Sequence, residues 1–513
     1  MNIGLAFSRN ARRNPDGLAC FSSTRSRTWS EVNDRACRLA NLLIERYRVH
    51  RGDCVAALVA NRPEVLELVG GCAKAGAVYV GLNFRLGEPE YTEIFDNCRP
   101  KIILADSELA PMARRLTEGS DVVVLDIDDD SEYEAQLSTA SAAAPRTERE
   151  VGPGDDFCIV YSSGTTGRPK GILFSVGATL QHAAVAVSEY ELTADTRWLI
   201  AIPHNSSMQI TIAPLTLLGG AIGFMDSRGF KPERFVADVR ANDVTHTFLV
   251  PTMLIRLLES DVSVESIPTL RTIGYGSAPI APDRVAALIE RFGPIFIQLY
   301  GMAEIASIGT MLRKSDHALA AAGRPELFAT CGKESLEVMV RLVDETGADV
   351  AAGQSGEVVF GTPHTMAGYY REPDRTSEVL IDGWMHSGDI GQWTTDGYLK
   401  IVGRKKDLII RGGFNIAPTE IENVLTLHEQ VRDAAVVGLD DPEWGEAIAA
   451  VVVPSGPAAP VAEELMQWCR DHGLPSIKVP ERIEVWQDLP RNAVGKTVKA
   501  KIREQLDAPA AVS

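Results

Sequence analysis

The stretch Tyr161-Ser162-Ser163-Gly164-Thr165-Thr166-Gly167-Arg168-Pro169-Lys170-Gly171 holds three glycines, four Ser/Thr hydroxyls and two cations in eleven positions, with almost nothing that packs a core. Such a composition suits a loop that grips an anion. Glycine admits a ligand close to the main chain, amide N–H and hydroxyl groups donate to phosphate oxygens, and Arg168 and Lys170 bring charge. Apolar runs at 157–160 and 172–174 flank the loop as two strands. The same composition also serves a solvated hairpin, and the stretch alone leaves both readings open. It is not the P-loop of kinases and ATPases, because Lys170 is followed by Gly171 rather than by a Ser or Thr that holds magnesium.

Outward from the loop, the chain alternates helical and strand patterns. Thr28 and Glu31 stand at the positions of a capping box, and Val32, Ala36, Leu39 and Leu43 then share one helical face. Residues 54–60 and 77–81 read as buried strands, joined by a helix over 64–75. The expected class is α/β. Residues 138–156, rich in Ala, Pro, Gly and charge, predict a surface linker just before the glycine loop. A second division falls near Gly403-Arg404-Lys405-Lys406-Asp407. Beyond it, strands at 434–437 and 447–453 alternate with helices at 420–427 and 462–472.

Length and charge narrow the function. A chain of 513 residues exceeds the roughly 250–300 at which single cores stop growing, so at least two cores are expected. A net charge of −18 opposes nonspecific attraction to nucleic acid or an anionic membrane. An anionic substrate must therefore find a local basic patch. The long apolar stretch at 211–225 is broken by Pro and Gly and falls short of the roughly 20 residues of a spanning helix. Arg9, Arg12 and Arg13 precede any long apolar region, so no secretory signal is read, and cytoplasmic residence is the expectation. Eight scattered cysteines without a C-x-x-C pair read as reduced structural thiols, and nine histidines form no zinc-like spacing.

Further motifs join the glycine loop in order along the chain: Tyr300-Gly301-Met302-Ala303-Glu304, Trp384-Met385-His386-Ser387-Gly388-Asp389, Gly403-Arg404, and Pro490-Arg491-Asn492-Ala493-Val494-Gly495-Lys496. Together they resemble the adenylate-forming superfamily, which includes acyl-CoA synthetases, luciferase-like enzymes and the adenylation domains of peptide synthetases. The resemblance implies a large N-terminal domain of layered α/β subdomains, residues 1–405, and a small mobile α+β domain, residues 406–513. It implies two half-reactions: a carboxylic acid attacks the α-phosphate of ATP to give an acyl-adenylate and pyrophosphate, and a thiol then displaces AMP.

Residue roles follow from the resemblance alone. Ser163, Gly164, Thr165, Thr166, Gly167 and Lys170 would hold phosphates, and Glu304 would bind Mg2+ bridging them. Tyr300 would stack on adenine, with Gly276-Ser277-Ala278 at its edge; Asp389 would take the ribose hydroxyls, assisted by Arg404. Lys496 would bridge the acid and the α-phosphate during adenylation, Lys406 would be the hinge, and Gly412 and Gly413 would leave room for pantetheine in the second state. One position departs from the family pattern: Ala303 stands where Thr is usual before the acid, which removes a hydroxyl.

The acyl pocket is assigned, again by resemblance, to Ile202-Pro203-His204-Asn205-Ser206-Ser207-Met208, with His204 as a gate and Met208 as lining. No acidic side chain lies between Ile202 and Ile212 to pair with an α-ammonium, so a fatty or aryl acid is favoured over an amino acid. The first reading is an AMP-forming acid:CoA ligase with ATP and CoA as co-substrates. A stand-alone ligase loading a carrier protein and a catalytically weak nucleotide-binding homologue are the alternatives. A hydrolase is disfavoured, since Gly-x-Ser-x-Gly is missing around Ser277. A homo-oligomer is compatible with the chain, and no residue pattern decides it.

Overall fold

The computed structural model describes residues 2–128, 132–162, 168–226, 229–491 and 497–507. Ser163, Gly164, Thr165, Thr166, Gly167 and Lys496 therefore lie outside the described residues. By compactness the chain divides into one unit of residues 1–340 and 360–385 and a second of 341–359 and 386–513. Residues 341–359 and 386–405, which the sequence reading gives to the larger domain, thus group with the C-terminal segment.

The helix expected after Thr28 forms as Trp29–Asn41 and continues into a π-helical turn, Leu42–Arg46. Its start is set by the capping box: Glu31 N–H donates to Thr28 Oγ1, and Thr28 N–H donates to a Glu31 carboxylate oxygen at 2.7 Å. Its buried face packs on helix Glu64–Ala75. Glycine permits that approach, since a Cβ at Gly71 would stand 2.6 Å from the Leu39 side chain.

Two large sheets build the first unit. One runs Gly368–Tyr369, Lys170–Ser175, Asp156–Ser162, Val78–Gly81, Cys54–Leu58, Ile102–Ala105, Val123–Asp126. Its last five strands are parallel, and Asp156–Ser162 and Lys170–Ser175 pair antiparallel as the hairpin that carries the glycine loop. The other runs Lys333–Glu334, Thr310–Leu312, Phe296–Tyr300, Thr272–Tyr275, His246–Leu249, Arg197–Ile200, Ala221–Phe224, Leu18–Phe21, Ser26–Thr28. From Phe296–Tyr300 through Leu18–Phe21 its neighbours are parallel. Parallel strands buried on both faces need continuous apolar runs, and Cys54–Leu58 is buried at every position.

The linker expected over 138–156 is not free. It contains the end of helix Glu132–Thr139 and a helical turn, Thr147–Glu150, whose Glu148 is buried and meets the fully buried Lys74 ammonium at 2.5 Å. Exposed alanines misled the reading, because the anchoring is done by Glu148 and by Asn41 and Arg38, which donate to carbonyls at Ser141, Ala143, Ser138 and Ala140.

In the second unit, the long hairpin Val431–Asp441 with Gly445–Pro454 has Ile409–Arg411 and Arg482–Val485 beside it. Successive residues of Gly445–Pro454 serve opposite cores: Ile448, Ala450 and Val452 pack with Ile421, Leu425 and Leu465, while Ala449, Val451 and Val453 pack with Ile502 and Leu506. This is an α+β arrangement. Among the described residues no helix is long and apolar enough to cross a membrane, and all eight cysteines are free thiols.

Candidate active site

Four parallel strands of the nine-stranded sheet lie side by side, and three of them lead at their carboxyl ends to candidate site residues. Arg197–Ile200 leads to His204 and Met208, Thr272–Tyr275 to Gly276-Ser277-Ala278, and Phe296–Tyr300 ends on Tyr300 itself, four residues before Glu304. His246–Leu249 lies between the first two of these. The turns there are unusual: Ser277, Ala306 and Ser307 adopt left-handed backbone at φ +67°, +56° and +79° without being glycine. Such residues cluster where a site demands a shape the local sequence would not choose. At Gly276 a Cβ would fall 2.5 Å from the Leu299 carbonyl oxygen, so only glycine lets the adjacent strand end so close.

Glu304 is buried and held. The Tyr369 hydroxyl donates to its Oε1 at 2.7 Å, and Met366 N–H donates to its main-chain carbonyl. Burial, reinforced by the neighbouring Glu304 charge, pushes the Tyr369 phenol well up, so it remains a donor. The Lys170 ammonium lies 5.0 Å from the centre of the same tyrosine ring, and Lys170 pairs across the hairpin with Ser162. The base of the glycine loop is thereby tied through Tyr369 to Glu304. Tyr300 is half-buried, its ring centre 6.0 Å from that of Phe360.

His204, the candidate acyl-pocket residue, is 1% exposed. Its Nε2 lies 3.0 Å from the Val59 carbonyl, and its main-chain N–H donates to Asn61 Oδ1 at 2.8 Å. Burial pushes the imidazole down to about 4, so the ring is neutral near pH 7. Met208 opens a buried π-helical turn, Met208–Ile212, a distortion frequent at functional sites. Close by in sequence, the side-chain oxygens of Asn205, Gln209 and Thr211 are buried without hydrogen-bond partners among the described residues.

In the second unit, Asp389 and Arg404 are register partners across a hairpin and form an ion pair at 3.1 Å. Behind them Glu357 accepts from Gly388 N–H at 3.1 Å and pairs with Lys405 at 3.1 Å and His386 at 3.4 Å. Burial alone would raise the Glu357 carboxyl; Lys405 and His386 outweigh it and hold the group below its usual range. Gly412 and Gly413 take left-handed backbone at φ +54° and +80° in the turn between Ile409–Arg411 and Phe414–Ile416. A Cβ at Gly412 would meet the Trp444 ring at 3.0 Å, whereas one at Gly413 would meet nothing within 4 Å. Lys406 lies in the exposed turn Lys405–Asp407. Three residues that hydrogen-bond to candidate site residues or their neighbours escaped the sequence reading: Tyr369, Asn61 and Glu357. Tyr369 had one signal, the Gly368-Tyr369-Tyr370 run; Asn61, 143 residues from its partner His204, had none.

Among the described residues no cluster of three His, Cys, Asp or Glu side chains forms a metal cage. The family description "AMP-binding enzyme" matches residues 7–370, and "AMP-binding enzyme C-terminal domain" matches residues 420–496. The chain is 35% identical over 505 residues to a feruloyl-CoA synthase of Amycolatopsis sp, covering 97% of each. It is 32% identical over 512 residues to the indoleacetate–CoA ligase of Aromatoleum aromaticum, covering 98% of each. Its fold is similar to that of the amide bond synthetase McbA from Marinactinospora thermotolerans, with a TM-score of 0.87 at 30% identity over 98% of this chain and 99% of that one. With strand-end turns, a buried acid and both family domains in sequence order, the chain belongs to the AMP-binding enzymes of the adenylate-forming superfamily, in their acyl-CoA ligase branch.

Proposed function

We propose that this ligase activates an aryl or fatty carboxylic acid with ATP and passes the acyl group to CoA, with the acid held beside His204 and Met208. The observation that carries the reading is the line from Lys170 through Tyr369 to Glu304, which ties a phosphate-gripping hairpin to a single buried acid. Two anions must meet in the first half-reaction, so cations and fixed donors have to stand where negative charge grows. Ser163, Gly164, Thr165, Thr166, Gly167 and Lys170 supply those groups to the phosphates, and Lys496 bridges the acid carboxylate and the α-phosphate. A lysine on a flexible stem suits a charge that arrives for one step and leaves for the next.

Tyr300 stacks on adenine, Gly276-Ser277-Ala278 border its edge, and Asp389 with Arg404 takes the ribose. Magnesium fits the donor at Glu304: Tyr369 engages Oε1, and the other carboxylate oxygen would hold a hard cation that prefers oxygen ligands. When bound, the ion neutralises charge on the phosphates. Ala303 removes one hydroxyl from this end, which lowers the rate without removing the reaction. For the second half-reaction, a mobile domain beginning after residue 405 turns about Lys406 and brings Gly412 and Gly413 to the thiol, where Gly413 offers open space for pantetheine.

Two relatives named for aryl acids, feruloyl-CoA synthase and indoleacetate–CoA ligase, favour an aryl substrate. Acid-dependent exchange of pyrophosphate into ATP, followed by a panel of aryl and aliphatic acids with Mg2+ and CoA, tests the reading; no exchange with any acid would overturn it. A second reading, transfer of the acyl group to an amine, rests on the likeness to the amide bond synthetase. Product analysis with CoA against an amine separates the two.

A further inference from the structure

We infer that Asn61 is a positioning residue for the acid-binding half of the site, fixing the orientation and tautomer of His204 through the loop that follows strand Cys54–Leu58. The inference rests on the proposed placement of the acid beside His204. The contacts are specific. Asn61 Oδ1 accepts from the His204 main-chain N–H at 2.8 Å, while Asn61 Nδ2 donates to the Ile202 carbonyl at 2.9 Å and the Met225 carbonyl at 3.2 Å. One amide therefore clamps the main chain on both sides of Pro203 and the end of the neighbouring strand Ala221–Phe224. With a longer contact to the Ile200 carbonyl at 3.5 Å, its partners all belong to the nine-stranded sheet or its connections, whereas Asn61 belongs to a connection of the seven-stranded sheet.

The imidazole is fixed from the same loop. Val59 offers a carbonyl, which only accepts, so the His204 Nε2 at 3.0 Å must carry the proton. That leaves Nδ1 as a bare acceptor, and it is buried with no hydrogen-bond partner among the described residues. A neutral ring with one face committed is a defined surface for an acyl group. A ring free to flip would present a donor on some occasions and an acceptor on others.

The loop is itself braced from its far side. Ala60 N–H donates to Asp106 Oδ2 at 2.6 Å, and Arg62 reaches Asp106 at 2.7 Å and Glu64 at 2.9 Å. Residues 59–62 thus alternate in their duties: Val59 and Asn61 hold His204, while Ala60 and Arg62 hold the loop. The alternation gives the amide a rigid base, which a positioning role requires.

The test is steady-state kinetics of Asn61→Ala and Asn61→Asp with an acid that the wild-type enzyme adenylates. Asn61→Ala is expected to lower kcat/KM for the acid about tenfold or more with KM for ATP within about twofold. Asn61→Asp keeps an acceptor for the His204 main-chain N–H but sets its second oxygen against the Ile202 and Met225 carbonyls, and should lower kcat/KM for the acid at least as much. In parallel, 15N spectra of histidine-labelled enzyme, with His204 assigned by the His204→Gln spectrum, should show the Nε2–H tautomer in wild type and its loss or mixing in Asn61→Ala. Unchanged acid kinetics in both variants, an unchanged His204 tautomer in Asn61→Ala, or an equal rise in KM for ATP and acid would overturn the inference. If Asn61→Ala does not fold, Asn61→Asp and the wild-type tautomer decide it: an Nδ1–H ring in wild type is the contrary result. Absence of adenylation by the wild type with every acid would instead reject the ligase reading itself.

Discussion

The pair proposed for the ribose and the histidine proposed for the acyl pocket are built on opposite principles. Asp389 and Arg404 face each other across one hairpin, the arginine side chain 47% exposed, and their charges are balanced at a distance of 15 residues along the chain. His204 is 1% exposed and neutral, and is held by residues more than 140 positions away. In the proposed roles, the grip on the nucleotide rests on charge and short-range geometry, and the choice of acid rests on burial and long-range packing. Charge tolerates solvent and motion, whereas a buried neutral ring is only as well placed as the loop behind it.

The comparison breaks most visibly at its extremes. Lys496→Ala should lower acid-dependent pyrophosphate exchange by roughly 10²–10³-fold while thioester formation from supplied acyl-adenylate changes far less. Equal loss in the two half-reactions would remove the lysine from its assigned step. Asp389→Ala should raise KM for ATP about tenfold or more and leave the order of preference among acids as it was, since one hydrogen bond to a charged group contributes roughly 1.5–3 kcal/mol. A reshuffled acid preference would erase the division between the two regions. Tyr369→Phe loses one hydroxyl on Glu304 and should lower kcat several-fold, with a raised Mg2+ requirement in titrations at fixed ATP.

The smallest effect at neutral pH concerns stability. His182, His204, His246, His317 and His364 are all driven down by burial, to about 3 for His182 and about 4 for the others. A neighbouring imidazole, His364 at 5.1 Å between ring centres, adds to the effect on His182. With folded values below the unfolded 6.5, the unfolded chain binds more protons, so this stability is complete above pH 6.5 and is lost as pH falls towards 4. Urea midpoints at pH 7.5, 6 and 5 should fall progressively, and His182→Leu should flatten the decline. A midpoint independent of pH across this window would contradict the buried neutral histidines.

What the sequence made legible follows the same divide. Helix Glu64–Ala75 begins and ends where the apolar pattern places it, and the motifs around Tyr300, Glu304 and Asp389 stand out because backbone turns and charges must sit at fixed short spacings. Asn61 carries no such mark. Its work depends on two sheets whose strands meet only after folding, and a lone Asn before Arg62 and Pro63 reads as an ordinary turn. The segment 138–156 runs along the surface as its composition suggests, but the alanines and charges describe only its exposed face and do not show the buried Glu148 that anchors it.

That glutamate matters to anyone who would cut or splice this chain. By composition, residues 141–144 invite a new terminus, an inserted reporter or a split point for complementation. Yet Asn2 donates to the carbonyls of Glu148 and Val151, Ser8 bonds the Glu148 carboxylate, and Lys74 closes the ring from helix Glu64–Ala75. Fragments divided at 141–144 would leave the first helix, Ile3–Arg13, and its fastening together on neither side of the cut, so reassembly would have to form this knot before the hairpin at 156–175 had a fixed base.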